Sequence, residues 1–335
     1  MALVVSQTEN KPKVTLSPIA ESKALTPADV SETAHQLITN VEKVIVGKHE
    51  QVVLATAVLL AEGHLLIEDV PGVAKTMLAR ALAQSAGCTF KRIQCTPDLQ
   101  PTDVLGEPHL NEQTGRSEFH FGPLFSQFVL VDEINRASPR TQAALLEAMG
   151  ESSVTEGNVT YRLQKPFMVI ATENPIEQEG TFLLPEAQKD RFLMRMSLGY
   201  PSLADEKEMV ERFQSRHPID TLQPVTTPDR ILKCQAAVRD VKVPAAVSDL
   251  ILKIVRATRE NPSLLLGSSP RGSLGLFRAA QAMAAVDGKD SVSADDVKSL
   301  AQKILAHRLI VRREEKFREV KVESVVAEIL NSLNG

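Results

Sequence analysis

The chain has 335 residues, 43% hydrophobic and 24% charged, with a formal net charge of −4. That length accommodates two domains, and the mild acidity counts against a broad cationic surface for nucleic acid. Three cysteines, Cys88, Cys95 and Cys234, without a Cys-x-x-Cys pair, exclude a disulfide framework and point to a reducing cytoplasm.

No stretch approaches about 18 consecutive apolar residues, so no membrane span is expected. The first 25 residues lack helical periodicity and the pattern of a secretory signal, and read as a flexible arm. Thr26, Pro27 and Asp29 then form a helix start, as N-cap, first helical residue and first-turn acid. That helix is expected to reach about Val44, and a second to occupy 49–62. Leu65-Leu66-Ile67 reads as a short buried strand, followed by a loop and a helix opening at Lys75. Further strands are expected at Phe90–Cys95, Phe128–Val131, Phe167–Ala171 and Phe192–Leu198. Short apolar runs alternating with helical segments imply a parallel α/β sheet.

Two insertions interrupt it. Residues 105–123 carry Gly and Pro near their ends, and residues 152–166 alternate around Glu156-Gly157-Asn158, a hairpin signal. A boundary is expected near residue 200. Beyond it the helical pattern recurs at 204–216, 228–238, 244–260, 270–286, 294–307 and 322–333. The basic residues Arg308, Arg312, Arg313, Lys316, Arg318 and Lys321 alternate with glutamates, as on a solvated helix.

The chemistry begins at residues 68–76, Glu-Asp-Val-Pro-Gly-Val-Ala-Lys-Thr. A phosphate loop, G-x-x-x-x-G-K-[ST], needs inward N–H groups at a helix start and a cation. Lys75 and Thr76 fit, as a β/γ-phosphate contact and a Mg²⁺ ligand, but Asp69 and Ala74 stand where the two glycines belong. A left-handed alanine costs about 1 kcal/mol, which a multidentate phosphate site can absorb. The carboxylate of Asp69 must point away from the phosphates.

Residues 128–133, Phe-Val-Leu-Val-Asp-Glu, end an apolar strand in two carboxylates. Such a buried pair is costly unless compensated. Mg²⁺ compensates Asp132, and Glu133 can polarise an attacking water. Asn174, after the strand Phe-Met-Val-Ile-Ala-Thr-Glu, is a candidate to position that water, although Asn-Pro is equally a turn signal. Arg191 and Arg271 are candidates for stabilising transition-state charge.

These stretches, with Val-Ile-Val-Gly-Lys-His-Glu at 44–50 and Ser-Pro-Arg-Gly-Ser at 269–273, resemble the AAA+ ATPases, and among them the MoxR family. Its loops often read P-G-x-A-K-T. The resemblance spans about residues 36–310. It implies an α/β AAA+ P-loop fold with sheet order 5-1-4-3-2 and a C-terminal all-α lid, divided at 26–200 and 201–335. It makes Pro71, Gly72, Val73, Ala74, Lys75, Thr76 and Met77 the Walker A contacts, and Asp132 and Glu133 Walker B. Asn174 becomes sensor 1, Arg271 sensor 2 and Arg191 the arginine finger, with Arg136 or Arg140 able to share that role. Val46 and Gly47 would touch adenine. Residues 105–123 would be the helix-2 insert and 152–166 the hairpin before sensor 1. The cofactors implied are ATP and Mg²⁺. The implied function is a hexameric ATPase remodelling protein clients, often beside von Willebrand factor A proteins. A low-turnover nucleotide-gated scaffold is the alternative, with an MCM-like nucleic-acid motor behind it.

Overall fold

The computed structural model describes residues 25–113, 115–156, 159–175, 181–213 and 217–333. The N-terminal arm, the hairpin tip at Gly157-Asn158 and residues 214–216 of one expected helix lie outside them.

Five parallel strands form the central sheet: β1 (Leu65–Glu68), β2 (Phe90–Gln94), β3 (Phe128–Asp132), β4 (Met168–Glu173) and β5 (Met194–Met196). Their order across the sheet is β2-β3-β4-β1-β5, which is 5-1-4-3-2 read from the other edge. The inner strands β1, β3 and β4 are short and mostly apolar because both faces are covered, as parallel sheets require; the edge strand β2, Phe-Lys-Arg-Ile-Gln, buries only Ile93. Leu65, Ile67, Phe128 and Leu130 face one apolar cluster; Leu66, Val129 and Val131 face another.

The first face carries α1 (Pro27–Glu42), α2 (His49–Leu60) and α3 (Lys75–Ser85). The α1 start is as expected: Thr26 and Asp29 cap one another's backbone N–H, with Pro27 first in the helix. The same cluster continues into the C-terminal helices α6 (Pro228–Arg239), α7 (Ala245–Glu260), α8 (Pro270–Val286), α9 (Ala294–Leu305) and α10 (Val322–Ser332). The second face carries α4 (Pro139–Glu151), through Leu145, Leu146 and Met149. Helix α5 (Leu203–Arg212) buries no residue.

Both insertions are antiparallel hairpins, Gly106–Asn111 with Arg116–Phe121 and Ser153–Glu156 with Val159–Arg162. They touch through Phe119 stacked on Tyr161, ring centroids 4.6 Å apart.

Two expectations need correction. The last strand is three residues long, not seven. Phe192 is claimed by the helical region, its carbonyl accepting from His307 and Arg308. The N–H of Leu198 donates to Asp69. The basic run is also not one solvated helix: Arg313–Phe317 is its α-helical part, Arg308 ends a separate 3-10 turn, and Arg308 is 5% exposed, buried against the segment preceding β5.

Candidate functional site

At the carboxyl edge of the sheet, β1 leads into the loop and α3. Ala74 precedes the helix at φ 62°, ψ 22°, a left-handed position that glycine takes without strain. Gly72 also has positive φ, 85°. Pro71 and Gly72 are exposed, Lys75, Thr76 and Met77 half-buried, and Val73 is buried in the core. Lys75 Nζ donates to the Asp69 carbonyl at 2.8 Å.

The carboxylate of Asp69 reaches toward the exit of β5, while its Oδ1 accepts from the N–H of Val70 at 2.9 Å. Its Oδ2 accepts from Leu198 N–H at 2.6 Å, Gly199 N–H at 2.7 Å and Ser197 Oγ at 3.0 Å. The residue is therefore a bracket between β1 and the exit of β5. All its partners are donors, so Asp69→Asn turns an amide N–H₂ or a weaker acceptor toward them. The expected cost is about 1–3 kcal/mol, read as a lower denaturant midpoint; an unchanged midpoint would show the bracket to be dispensable.

Asp132 lies on the sheet face that α3 covers, as the register of β3 dictates. Its Oδ1 accepts from Thr172 Oγ1 at 2.6 Å, and its Oδ2 from Arg92 at 2.7 Å. Glu133 takes a left-handed turn, φ 56°, ψ 52°. Its N–H donates to Thr172 Oγ1 at 2.8 Å, while its Oε2 accepts from Gln94 Nε2 at 3.1 Å and lies 3.3 Å from Arg136. Thr172 thus fixes both carboxylate residues. The sequence reading missed it, although its place two residues before Asn174 was the available signal. Asn174 is buried at the end of β4, between the strands leading to Lys75 and Asp132.

The donors available to a metal are the carboxylate of Asp132 and the hydroxyl of Thr76. Both are hard oxygens and suit Mg²⁺, which takes one or two protein ligands and completes its shell with phosphate and water. Among the described residues no group of three or more His, Cys, Asp or Glu forms a metal cage.

Val46 is buried, and Gly47 has φ 69° with no room for a side chain: a Cβ would fall 2.1 Å from Asp205 Cγ. The candidate adenine contact is thereby set against the start of α5.

Beside Asn174, Glu173 is buried next to Glu68, its register partner, with Lys189 at 3.9 Å. Burial pushes its carboxyl up to about 7, against the opposing pull of Lys189. Its ordinary value is 4.5, so the fold favours the protonated form. The stability this group contributes is complete below about 4.5 and is lost as pH rises through about 7. Glu173→Gln is expected to match the parent near pH 4 and exceed it in thermal midpoint at pH 8. Equal midpoints at pH 8 would contradict this.

Arg191 and Arg271 lie elsewhere. They line one cleft of about 380 Å³ with Gly63, His64 and Phe167, which immediately precede β1 and β4. That is the amino edge of the sheet. Strands of four to six residues separate it from Lys75, roughly 13–20 Å at the rise of a strand. Arg191 donates to the Leu146 carbonyl at 2.7 Å and passes over Gly150, where a Cβ would meet its Nη1 at 1.9 Å. Arg278, two turns beyond Arg271 on α8, and Lys165 line the same cleft. His64 adds no charge, since burial lowers it to about 4. The cleft is therefore mainly cationic. The structure brings the two arginines together, but away from the loop and carboxylates of their own chain. Arg136 is paired with Glu133, at the opposite edge.

Residues 64–194 match the ATPase family associated with various cellular activities (AAA), and residues 256–329 match an AAA lid domain. The chain is 46% identical to the uncharacterized protein YeaC of Bacillus subtilis, over 91% of this chain and 95% of that one. It is 40% identical to Chaperone MoxR1 of Mycobacterium tuberculosis, over 90% and 82% of the two chains. A crystal structure from Cytophaga hutchinsonii superposes with a TM-score of 0.85 at 36% identity, covering 91% of this chain and 95% of that one.

Proposed function

Because the chain belongs to the MoxR family of AAA+ ATPases, we propose that it hydrolyses ATP at a site completed by a second copy of itself, and uses the cycle to remodel a protein client. One observation carries the shared site. The phosphate loop and Walker B pair sit at one edge of the sheet, and the cationic cleft with Arg191 and Arg271 sits at the other. In this conformation one chain does not bring both to a single γ-phosphate. A head-to-tail arrangement can, and such heterologous contacts close into rings; six copies is our proposal.

In this reading Lys75 and the N–H groups of residues 71–77 hold the triphosphate, with Val46 and Gly47 at the adenine. Thr76 and Asp132 would hold Mg²⁺, which would neutralise phosphate charge there. Glu133 polarises the attacking water, and Asn174 orients it. Arg191 and Arg271 reach the γ-phosphate from the neighbouring copy. Residues 26–200 act as the nucleotide domain and 201–335 as the lid. The stacked hairpins Gly106–Phe121 and Ser153–Arg162 are the elements offered to the protein client, for which a von Willebrand factor A domain protein is our candidate. No helix among the described residues is long and apolar enough to cross a membrane; we place the cycle in the cytoplasm.

The test is ATP turnover per chain over a protein concentration series, with assembly mass measured alongside. Turnover should rise with assembly and vanish in dissociated chains. Equal turnover by monomers would overturn the reading.

A further inference from the structure

Arg191 and Arg271 come from different parts of the chain, 80 residues apart in numbering, yet they must reach one phosphate together. A misplacement of about 1 Å at such a site can cost about 10²-fold in rate. Something must therefore set the helical region against the segment that carries Arg191. The structure supplies one carboxylate at that junction.

Asp190 immediately precedes Arg191. Its Oδ1 accepts from Arg308 Nε at 2.8 Å, and its Oδ2 accepts from Ser269 Oγ at 2.8 Å and lies 4.0 Å from Arg271 Nη1. Ser269 is the N-cap of α8, and its Oγ also accepts from the backbone N–H of Arg271. Arg308 is buried, and its other nitrogens donate to the carbonyls of Phe192 and Leu193. One carboxylate thus joins the residue beside the candidate finger, the start of the helix bearing Arg271, and a buried cation clamped on the strand entry.

We propose that Asp190 is a positioning residue that locks Arg191 and Arg271 into a single unit presented to the neighbouring copy's nucleotide. The proposal rests on the shared-site reading above. Asp190 touches no nucleotide: it acts through the two arginines, on the donor edge only. Its loss should lower turnover while leaving ATP binding by the same chain untouched. The buried Arg308 guanidinium explains why a carboxylate is needed there, since an unpaired buried charge is strongly unfavourable.

The experiment uses the full chain with Asp190→Asn. ATP affinity should stay within about two-fold of the parent and kcat should fall roughly 10–100-fold. Mixed in equal amounts with Glu133→Gln chains, whose donor edge is intact, turnover should recover at about one interface in four, the share that pairs a good acceptor with a good donor. An Arg191→Ala and Glu133→Gln mixture serves as control. If Asp190→Asn exposes Arg308 and fails to fold, Ser269→Ala removes the hydroxyl's bonds to Asp190 and to the Arg271 N–H while leaving the Asp190–Arg308 pair in place: kcat should drop and Ser269→Thr, which keeps the hydroxyl, should restore it.

Full turnover in Asp190→Asn, or in Ser269→Ala, would overturn the proposal. So would a control mixture that recovers while the Asp190→Asn mixture stays inactive, because the defect would then not be confined to the donor edge. Failure of the control mixture itself would instead remove the shared-site reading, and this proposal with it.

Discussion

Arg191→Ala is expected to bind ATP as the parent does and to hydrolyse it on the order of 10³–10⁵ times more slowly. The binding half follows from distance: Arg191 lies at the amino edge of the sheet, a strand length from Lys75 and Thr76, so its own chain's nucleotide does not feel it. The turnover half follows from charge. Hydrolysis spreads negative charge over the γ-phosphate oxygens, and a guanidinium delivered in a water-poor interface stabilises it far better than it would in water. Arg191→Lys should recover little, because a planar fork and a point charge address the phosphate differently. Folding is not at risk, since the side chain gives up a single hydrogen bond, to the Leu146 carbonyl. An Arg191→Ala chain that turns over within a few-fold of the parent would remove the arginine from the mechanism.

Glu133→Gln should keep ATP affinity and lose turnover by about 10²–10⁴-fold, the range for a missing general base. The substitution preserves shape. The backbone of Glu133 stays pinned by its N–H bond to Thr172, and Asp132, bound to the same hydroxyl, keeps its orientation. The side chain's pairing with Arg136 is partly exposed at both ends, 39% and 26%, and contributes little to stability. What the amide cannot do is accept a proton from water. Bound ATP without hydrolysis, measured by filter retention and phosphate release on one sample, is the expected outcome; sustained phosphate release would assign the base elsewhere.

Much of the arrangement at the carboxyl edge of the sheet was legible in the sequence because it is local. A strand, a turn with Pro-Gly, and a Lys-Thr helix start lie within a dozen residues. Ala74 was readable as a tolerable left-handed residue, and its φ of 62° is the conformation that argument needs. Asp69 was legible only as a problem. Its solution lies nearly 130 residues away, in N–H groups at the exit of β5 that no local pattern announces. The donor edge was harder for the same reason. Arg191 and Arg271 each stood out as an isolated arginine, and nothing in their spacing tells that β5 and α8 bring them into one cleft. Arg308 misled outright: charged residues in alternation read as a wet helix, whereas this one is buried because the Asp190 carboxylate and backbone carbonyls of residues 190, 192, 193 and 304 satisfy it. Thr172 went unnoticed because a threonine in an apolar strand is ordinary β sequence; its role exists only where β3 and β4 lie side by side.

The most direct measurement on the shared site is turnover in an equal mixture of Arg191→Ala and Glu133→Gln chains, each inactive alone. The account predicts recovery at about a quarter of the interfaces, where an intact Glu133 edge meets an intact Arg191 edge. A mixture as inactive as its components, in assemblies shown to contain both chains, would contradict it.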